Sequence, residues 1–363
     1  MHIVASPIPS RMNSRITVRH IAAAAGVHYT TVARALRNHP KLAPATREHI
    51  QKLAREMGYT PDPMVSALSA YRMQRQRMTF HGMIAWIDGY QRRTGSSPKR
   101  PAAHERLFEG AAQRARELGY HLEVYRIGET ETPTAASLDR VLTARGVRNL
   151  IVAPQFSATS RLELDWARYS AVSVSRSVGW PRLNLITNDQ FYNMMLAVRK
   201  LREAGRRRIG LMLERRLVEI TGERWLGGYL TARRQWAREE RLEPFVFTNP
   251  VSDKLLQSWW RENRPDAIVT ERGFWVNRLS AALDLRCPDD VDVALVSTGK
   301  EQAFAGIRER VDRVGTAAVD HLVRMEHMDE RGVPASPLDT LVRGEWQEGA
   351  SMRKAAASIK KAP

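Results

Sequence analysis

Tyr29, Thr30 and Arg34 carry the side chains in this chain best suited to recognition chemistry. A guanidinium pairs bidentately with guanine O6 and N7, while hydroxyls reach base edges and touch thymine methyls. Thr17, Thr31, Arg37 and Asn38 suit phosphate oxygens, which orient a protein on a duplex without specifying sequence. His28 borders the same surface. Covalent chemistry finds no comparable set: there is no G-x-S-x-G elbow, no H-E-x-x-H pair and no Walker loop. The ten histidines are scattered, and the single cysteine, Cys287, stands before Pro288 as a loop or strand-start residue. Neither an enzyme nor a bound cofactor or metal is expected, and one cysteine excludes a disulfide framework.

Positioning those residues is the work of short helices. Thr17 is placed to cap a first helix carrying Ile21, Ala22 and Ala25, and Gly26 ends it where a left-handed backbone is cheapest for glycine. Val27 pivots the turn, and a second helix over about Tyr29 to Arg37 turns Val32, Ala35 and Leu36 inward. Pro44 suits the first position of a third helix striped by Ile50, Leu53 and Met57 and closed by Gly58. A helix, tight turn and second helix is the geometry that presents an N-terminal end to the major groove. Charge agrees. Residues 1–77 hold 12 Lys and Arg against 3 Asp and Glu, so +9 of the chain's net +18 sits in its first fifth. Basic side chains placed on phosphates release condensed counterions.

The string AAGVHYTTVARAL…TREHIQKLAREMGYTPDPMVSAL resembles the lactose-repressor (LacI/GalR) family of bacterial transcription regulators in order and spacing. That resemblance implies that the second helix reads the major groove. It implies that the segment after the Tyr59-Thr60-Pro61 element becomes a hinge helix on DNA, and that Leu68 wedges into a minor-groove step. Tyr59 joins the DNA-contacting set on the same ground. An apolar wedge unstacks a step at a cost of a few kcal/mol, which bending recovers through added contacts. The chain departs from the family in His28 for a capping Ser or Thr, Ala43 for a capping Ser, and Asp62 and Pro63 for a more basic hinge start.

Beyond residue 80, apolar runs such as GMIAWI, HLEVYRI, NLIVAP, AVSVS, RIGLML, DAIVT and DVALVS alternate with amphipathic helices. Such alternation predicts an α/β fold of parallel βαβ units covered on both faces. The order resembles that family's effector domain, a two-lobed fold like the periplasmic binding proteins. The expected division is a flexible arm over 1–14, a helix-turn-helix domain over 15–60, a hinge helix and linker over 61–78, a two-lobed domain over 79–351 and a disordered tail over 352–363. Lobe 1 is expected at about 79–178 and 303–329, and lobe 2 at about 180–300 and 332–351, with crossings near Gly179, Gly299–Gly306 and Arg331.

By the same resemblance a small-molecule effector occupies the interlobe cleft, and a homodimer meets a near-palindromic operator on double-stranded DNA. Sugar-binding members hold hydroxyls with carboxylates. Here those places read Ser175, Asn188 and Ser297, while Arg176 and Arg224 keep the cleft arginines, which points to an anionic effector or to none. Strand-end position alone nominates Asp88, Gln155, Asp189 and Glu271. A repressor-type regulator is therefore the expectation, with a degenerate sensor answering to a protein partner as the alternative. An enzyme and a transport binding protein are the remaining classes. No run approaches the ~18 apolar residues of a membrane span, and the start lacks the apolar core of a secretory signal. No membrane association and a cytoplasmic location are expected.

Overall fold

The computed structural model describes residues 16–36, 42–59, 81–89, 102–127, 135–155, 160–299, 301 and 303–353. Two compact units divide the chain, a head over Met1–Thr79 and a body over Phe80–Pro363. The expected arm, the hinge helix and residues 354–363 of the expected tail lie outside the described residues.

In the head, α1 (Val18–Ala25), α2 (Tyr29–Leu36) and α3 (Pro44–Glu56) close around Ile21, Val32, Ala35 and Ile50, each without solvent exposure. The Thr17 hydroxyl accepts from the His20 N–H at 3.4 Å, and the Thr17 N–H donates to His20 Nδ1 at 3.2 Å. That reciprocal box satisfies two donors that a helix start leaves orphaned. Gly26 ends α1 at φ 64°. Gln51 of α3 donates to the Ala35 carbonyl at 2.9 Å, pinning the end of α2.

The body runs β1 (Gly82–Asp88), α4 (Ala102–Glu117), β2 (Tyr120–Arg126), α5 (Ala135–Ala144), β3 (Asn149–Val152), β4 (Ser160–Arg161), β5 (Ser170–Ser173), β6 (Val178–Trp180) and β7 (Asn184–Asn188). It continues through α6 (Gln190–Glu203), β8 (Ile209–Glu214), α7 (Arg215–Ile220), α8 (Arg224–Arg233), β9 (Phe245–Phe247), α9 (Asp253–Asn263), β10 (Ala267–Thr270) and α10 (Gly273–Leu283). The last elements are β11 (Asp292–Leu295), β12 (Ala305–Arg308), α11 (Val311–His327), β13 (Asp339–Val342) and β14 (Glu345–Gln347).

One six-stranded sheet has the order β13-β7-β5-β3-β1-β2 and is parallel throughout. The other has the order β14-β12-β11-β10-β8-β9, with only β14 antiparallel. Strand alternation explains the continuous apolar runs. Ile84 and Trp86 face a cluster with α4 and α11, while Ala85 and Ile87 face one with Leu138 and Leu142 of α5. Helices cover both faces, so neither set of side chains meets water.

The lobe crossings differ from those expected. β7 pairs with β5 in the first sheet, so the chain crosses at Asn188–Asp189 and not near Gly179, which lies inside β6. The second crossing is at Glu309, between β12 of the second sheet and α11 over the first, rather than at Gly299–Gly306. The third is at Arg343–Gly344, between β13 and β14, rather than at Arg331. Gly306 sits inside a strand, where an added Cβ would fall 2.2 Å from the Leu295 carbonyl oxygen.

Helices α4 and α11 touch backbone to backbone. A Cβ on Gly315 would lie 2.1 Å from the Leu107 carbonyl oxygen, and one on Gly110 would lie 2.2 Å from that of Asp312. Gly315→Ala should therefore force the pair apart and destabilise the body by about 1–3 kcal/mol. Urea unfolding of both proteins measures it; an unchanged midpoint would contradict the close crossing.

Candidate functional site

The second helix of the head displays the recognition candidates. His28 takes over the cap: its Nδ1 lies 2.8 Å from the Thr30 hydroxyl and 3.5 Å from the Thr30 N–H. An imidazole thus fills the place where a Ser or Thr was expected. The Tyr29 ring stacks at a tilt on His28, 4.3 Å between centroids, and stays 49% exposed. Arg34 is exposed one turn further along, and Thr31 is half-buried. Thr17 is exposed beside its capping contact. Tyr59 packs against the head's apolar core. Arg37, Asn38 and Leu68 lie outside the described residues.

In the body, strand ends gather polar groups. Asp88 is buried at the end of β1. Gln155 folds back over Gly89, its amide donating to the Ala153 carbonyl at 2.7 Å, and its own N–H donates to the Ser177 hydroxyl at 2.7 Å. Ser175 and Ser177 share a hydrogen bond of 2.9 Å. Arg176 and Arg224 do converge, but on a carboxylate of the chain itself. Asp339 accepts from Arg176 at 2.7 Å and lies 3.8 Å from Arg224. One carboxylate thus serves two guanidiniums, and Arg176 Nε is buried with no partner among the described residues.

Asp189 caps α6, accepting from the Tyr192 N–H at 3.0 Å, with Arg343 at 4.0 Å. The Oδ1 of Asn193, on the same helix, accepts from the Gly344 N–H at 2.9 Å and ties the first crossing to the third. Asn188 Oδ1 and Gln190 Oε1 are buried there with no partner among the described residues. Glu271 is buried and accepts from Trp275 Nε1 at 2.7 Å and the Thr270 hydroxyl at 3.3 Å. Burial raises its pKa, against hydrogen bonds from backbone N–H groups and those two side chains. With its oxygens engaged, Glu271 organises the strand end.

Ser297 leads to residues that sequence reasoning missed. It neighbours Glu309, which is buried on the second crossing and lines a cavity with Arg106 of α4. Burial pushes Glu309 up to about 7, with Ser297 and Arg106 pulling the other way. Arg106 Nε is buried with no partner among the described residues. Period-two alternation was the available signal, since Glu309 shares a strand face with the fully buried Ile307. Elsewhere burial pushes the Cys287 thiol up to about 11, and its Sγ donates to the Ser351 carbonyl. Among the described residues no helix is long and apolar enough to cross a membrane.

Comparison with known proteins places this geometry. Residues 17–62 match the model for bacterial regulatory proteins of the lacI family. Over 54 residues the chain is 43% identical to the HTH-type transcriptional repressor CytR of Escherichia coli strain K12, covering 15% of this chain and 16% of that protein's length. In fold it is similar to a transcriptional regulator CelR–cellobiose complex, with a TM-score of 0.56 and 19% identity over 93% of this chain and 100% of that one. The lac repressor dimer bound to operator and the anti-inducer ONPF gives 0.54 and 18% over 93% and 99%. A LacI transcriptional regulator from a Rhodococcus species gives 0.55 and 16% over 75% and 99%. Residues 17–62 are thus a helix-turn-helix domain of the lacI family, followed by a body with the two-lobed fold of the solved regulators it resembles.

Proposed function

We propose that the protein is a sequence-specific DNA-binding transcription regulator, acting as a repressor and as a homodimer on a near-palindromic operator. The observation that carries this is the family-matched head, in which α2 presents Tyr29, Thr30 and Arg34 beyond a capped turn. A small molecule between the lobes would bias the lobe arrangement, and through residues 61–78 the pairing of two heads on DNA. Such control requires that the ligand bind the two arrangements with different affinity. The solved relatives carrying cellobiose or an anti-inducer support a ligand-binding role for this fold. The pairing of Arg176 and Arg224 with Asp339 favours a second reading, in which that part of the cleft is structural and the body answers to a protein partner.

Selection of bound genomic fragments followed by titration tests the main reading. Arg34→Ala should weaken binding to the selected site by about 1–3 kcal/mol and relax one base position. An equal loss on random DNA would instead make Arg34 a phosphate contact.

A further inference from the structure

The second crossing holds a cavity of about 280 Å³ lined by Arg106, Arg308, Glu309, Arg310 and Asp312. Its charges divide into settled and unsettled ones. Arg308 donates to Glu345 at 2.7 Å, and Arg310 lies 3.2 Å from Glu345 and 3.3 Å from Asp312. Those two guanidiniums are therefore matched by two carboxylates. Arg106, on α4, is left opposite Glu309, and its buried Nε lacks an acceptor among the described residues. Glu309 has Ser297, just beyond the end of β11, as a polar neighbour.

We infer that this cavity is a carboxylate-binding subsite, in which Arg106 donates to the anion and Glu309 takes up one proton from solvent as the anion enters. The inference rests on the reading of the body as a small-molecule sensor and names the chemical class sensed. It lies at a different place from Arg176 and Arg224, which already share the Asp339 carboxylate.

The physical reasons are two unmet demands of the same kind. A buried donor without an acceptor carries its desolvation cost unrelieved, and a carboxylate oxygen supplied by a ligand would relieve it with a charge-assisted bond. An ionised Glu309 would repel that ligand. A neutral Glu309 donates to it, and burial already brings the neutral acid within reach near pH 7. The groups that bear on this titration are Arg106 from α4, Ser297 from the end of β11, Arg308 and Arg310 on its own segment, and Asp312 on α11. Only the fraction of protein with Glu309 protonated is binding-competent. Apparent affinity should then fall about tenfold between pH 6 and pH 8.

Isothermal titration calorimetry on the full chain tests this, with succinate, citrate and D-gluconate as probes and D-glucose as the neutral comparison. Each is titrated at pH 6 and pH 8, in two buffers of different ionisation enthalpy. The expected result is binding of at least one carboxylate but not glucose, about tenfold weaker at pH 8, with a buffer-dependent heat that reports uptake of about one proton at pH 8 and only about a tenth of one at pH 6. Arg106→Gln should abolish that binding. Glu309→Gln should retain it without the pH dependence, because an amide donates at every pH. Carboxylate binding independent of pH, binding of glucose alone, or no binding by any probe overturns the subsite. Operator binding measured on the same preparation separates the failures. Specific DNA binding without carboxylate binding sinks the subsite and leaves the regulator, whereas carboxylate binding without specific DNA binding does the reverse.

Discussion

Asp292→Ala is expected to destabilise the body by about 3–5 kcal/mol, the range for removing one partner of a buried ion pair. Asp292 has no solvent exposure and receives two guanidiniums, Arg206 from the turn before β8 and Arg353 at the end of the fold, the latter at 2.8 Å. Alanine would leave Arg206 in place with its charge unmatched, at a position only 18% exposed. Desolvation already spent on the charge is then uncompensated, and that loss exceeds the Coulombic value of the pair. The same change frees the chain around Ser351. Its hydroxyl donates to the Val293 carbonyl at 2.7 Å and accepts from the Ala305 N–H at 2.9 Å, and its carbonyl accepts from Cys287 Sγ. The measurements are a urea midpoint and the rate at which a thiol reagent labels Cys287, the chain's one cysteine. A variant that loses under 1 kcal/mol and labels at the parent's rate would show that Asp292 does not hold the terminal segment.

Glu309→Gln should act in the opposite direction and depend on pH. In the unfolded chain a glutamate titrates near 4.3, whereas burial pushes Glu309 in the folded body up to about 7. Between those values the native state holds the proton more tightly than the unfolded state does. Folding stability from this group is therefore present below the unfolded value and lost as pH rises through the folded one. Each tenfold difference in proton affinity corresponds to about 1.4 kcal/mol, which makes the full loss about 4 kcal/mol above pH 7. Glutamine has no such charge to desolvate. The variant should match its parent near pH 4.5 and exceed it by about 4 kcal/mol at pH 8. Parallel urea titrations across that interval provide the check, and a constant difference between the two proteins would refute the assignment of a desolvated acid at the crossing.

How much of this was legible beforehand depended on the reach of each contact. The head was readable because its devices are local: Thr17 and His20 are three residues apart, as the box requires, and Gly26 marks the turn. Strands β1, β3, β8, β10 and β11 announced themselves as apolar runs because both their faces are covered. By contrast β13 is a half-exposed edge with the sequence DTLV, and β7 reads as the approach to the helix that Asp189 caps. Arg176 meets Asp339 across 163 positions, a pairing no spacing rule supplies. Arg308-Glu309-Arg310 looks like a solvated charge run, yet its middle member is buried beside an exposed Arg308 and a half-buried Arg310, continuing the alternation set by Ile307.

The three crossings also govern the order in which a growing chain can finish its parts. Synthesis runs from the N-terminus, and domains fold as units when their last residue emerges. The head's core is complete once Tyr59 has appeared. The body's first sheet, begun at Gly82, lacks the covering helix Val311–His327 and its edge strand Asp339–Val342 until the chain is almost finished. Its second sheet waits still longer, for Glu345–Gln347 and for Arg353 to reach Asp292. A ribosome stalled after residue 300 would thus carry a finished head on an unfinished body, with apolar side chains such as Ile84 and Trp86 still lacking their cover from Val311–His327.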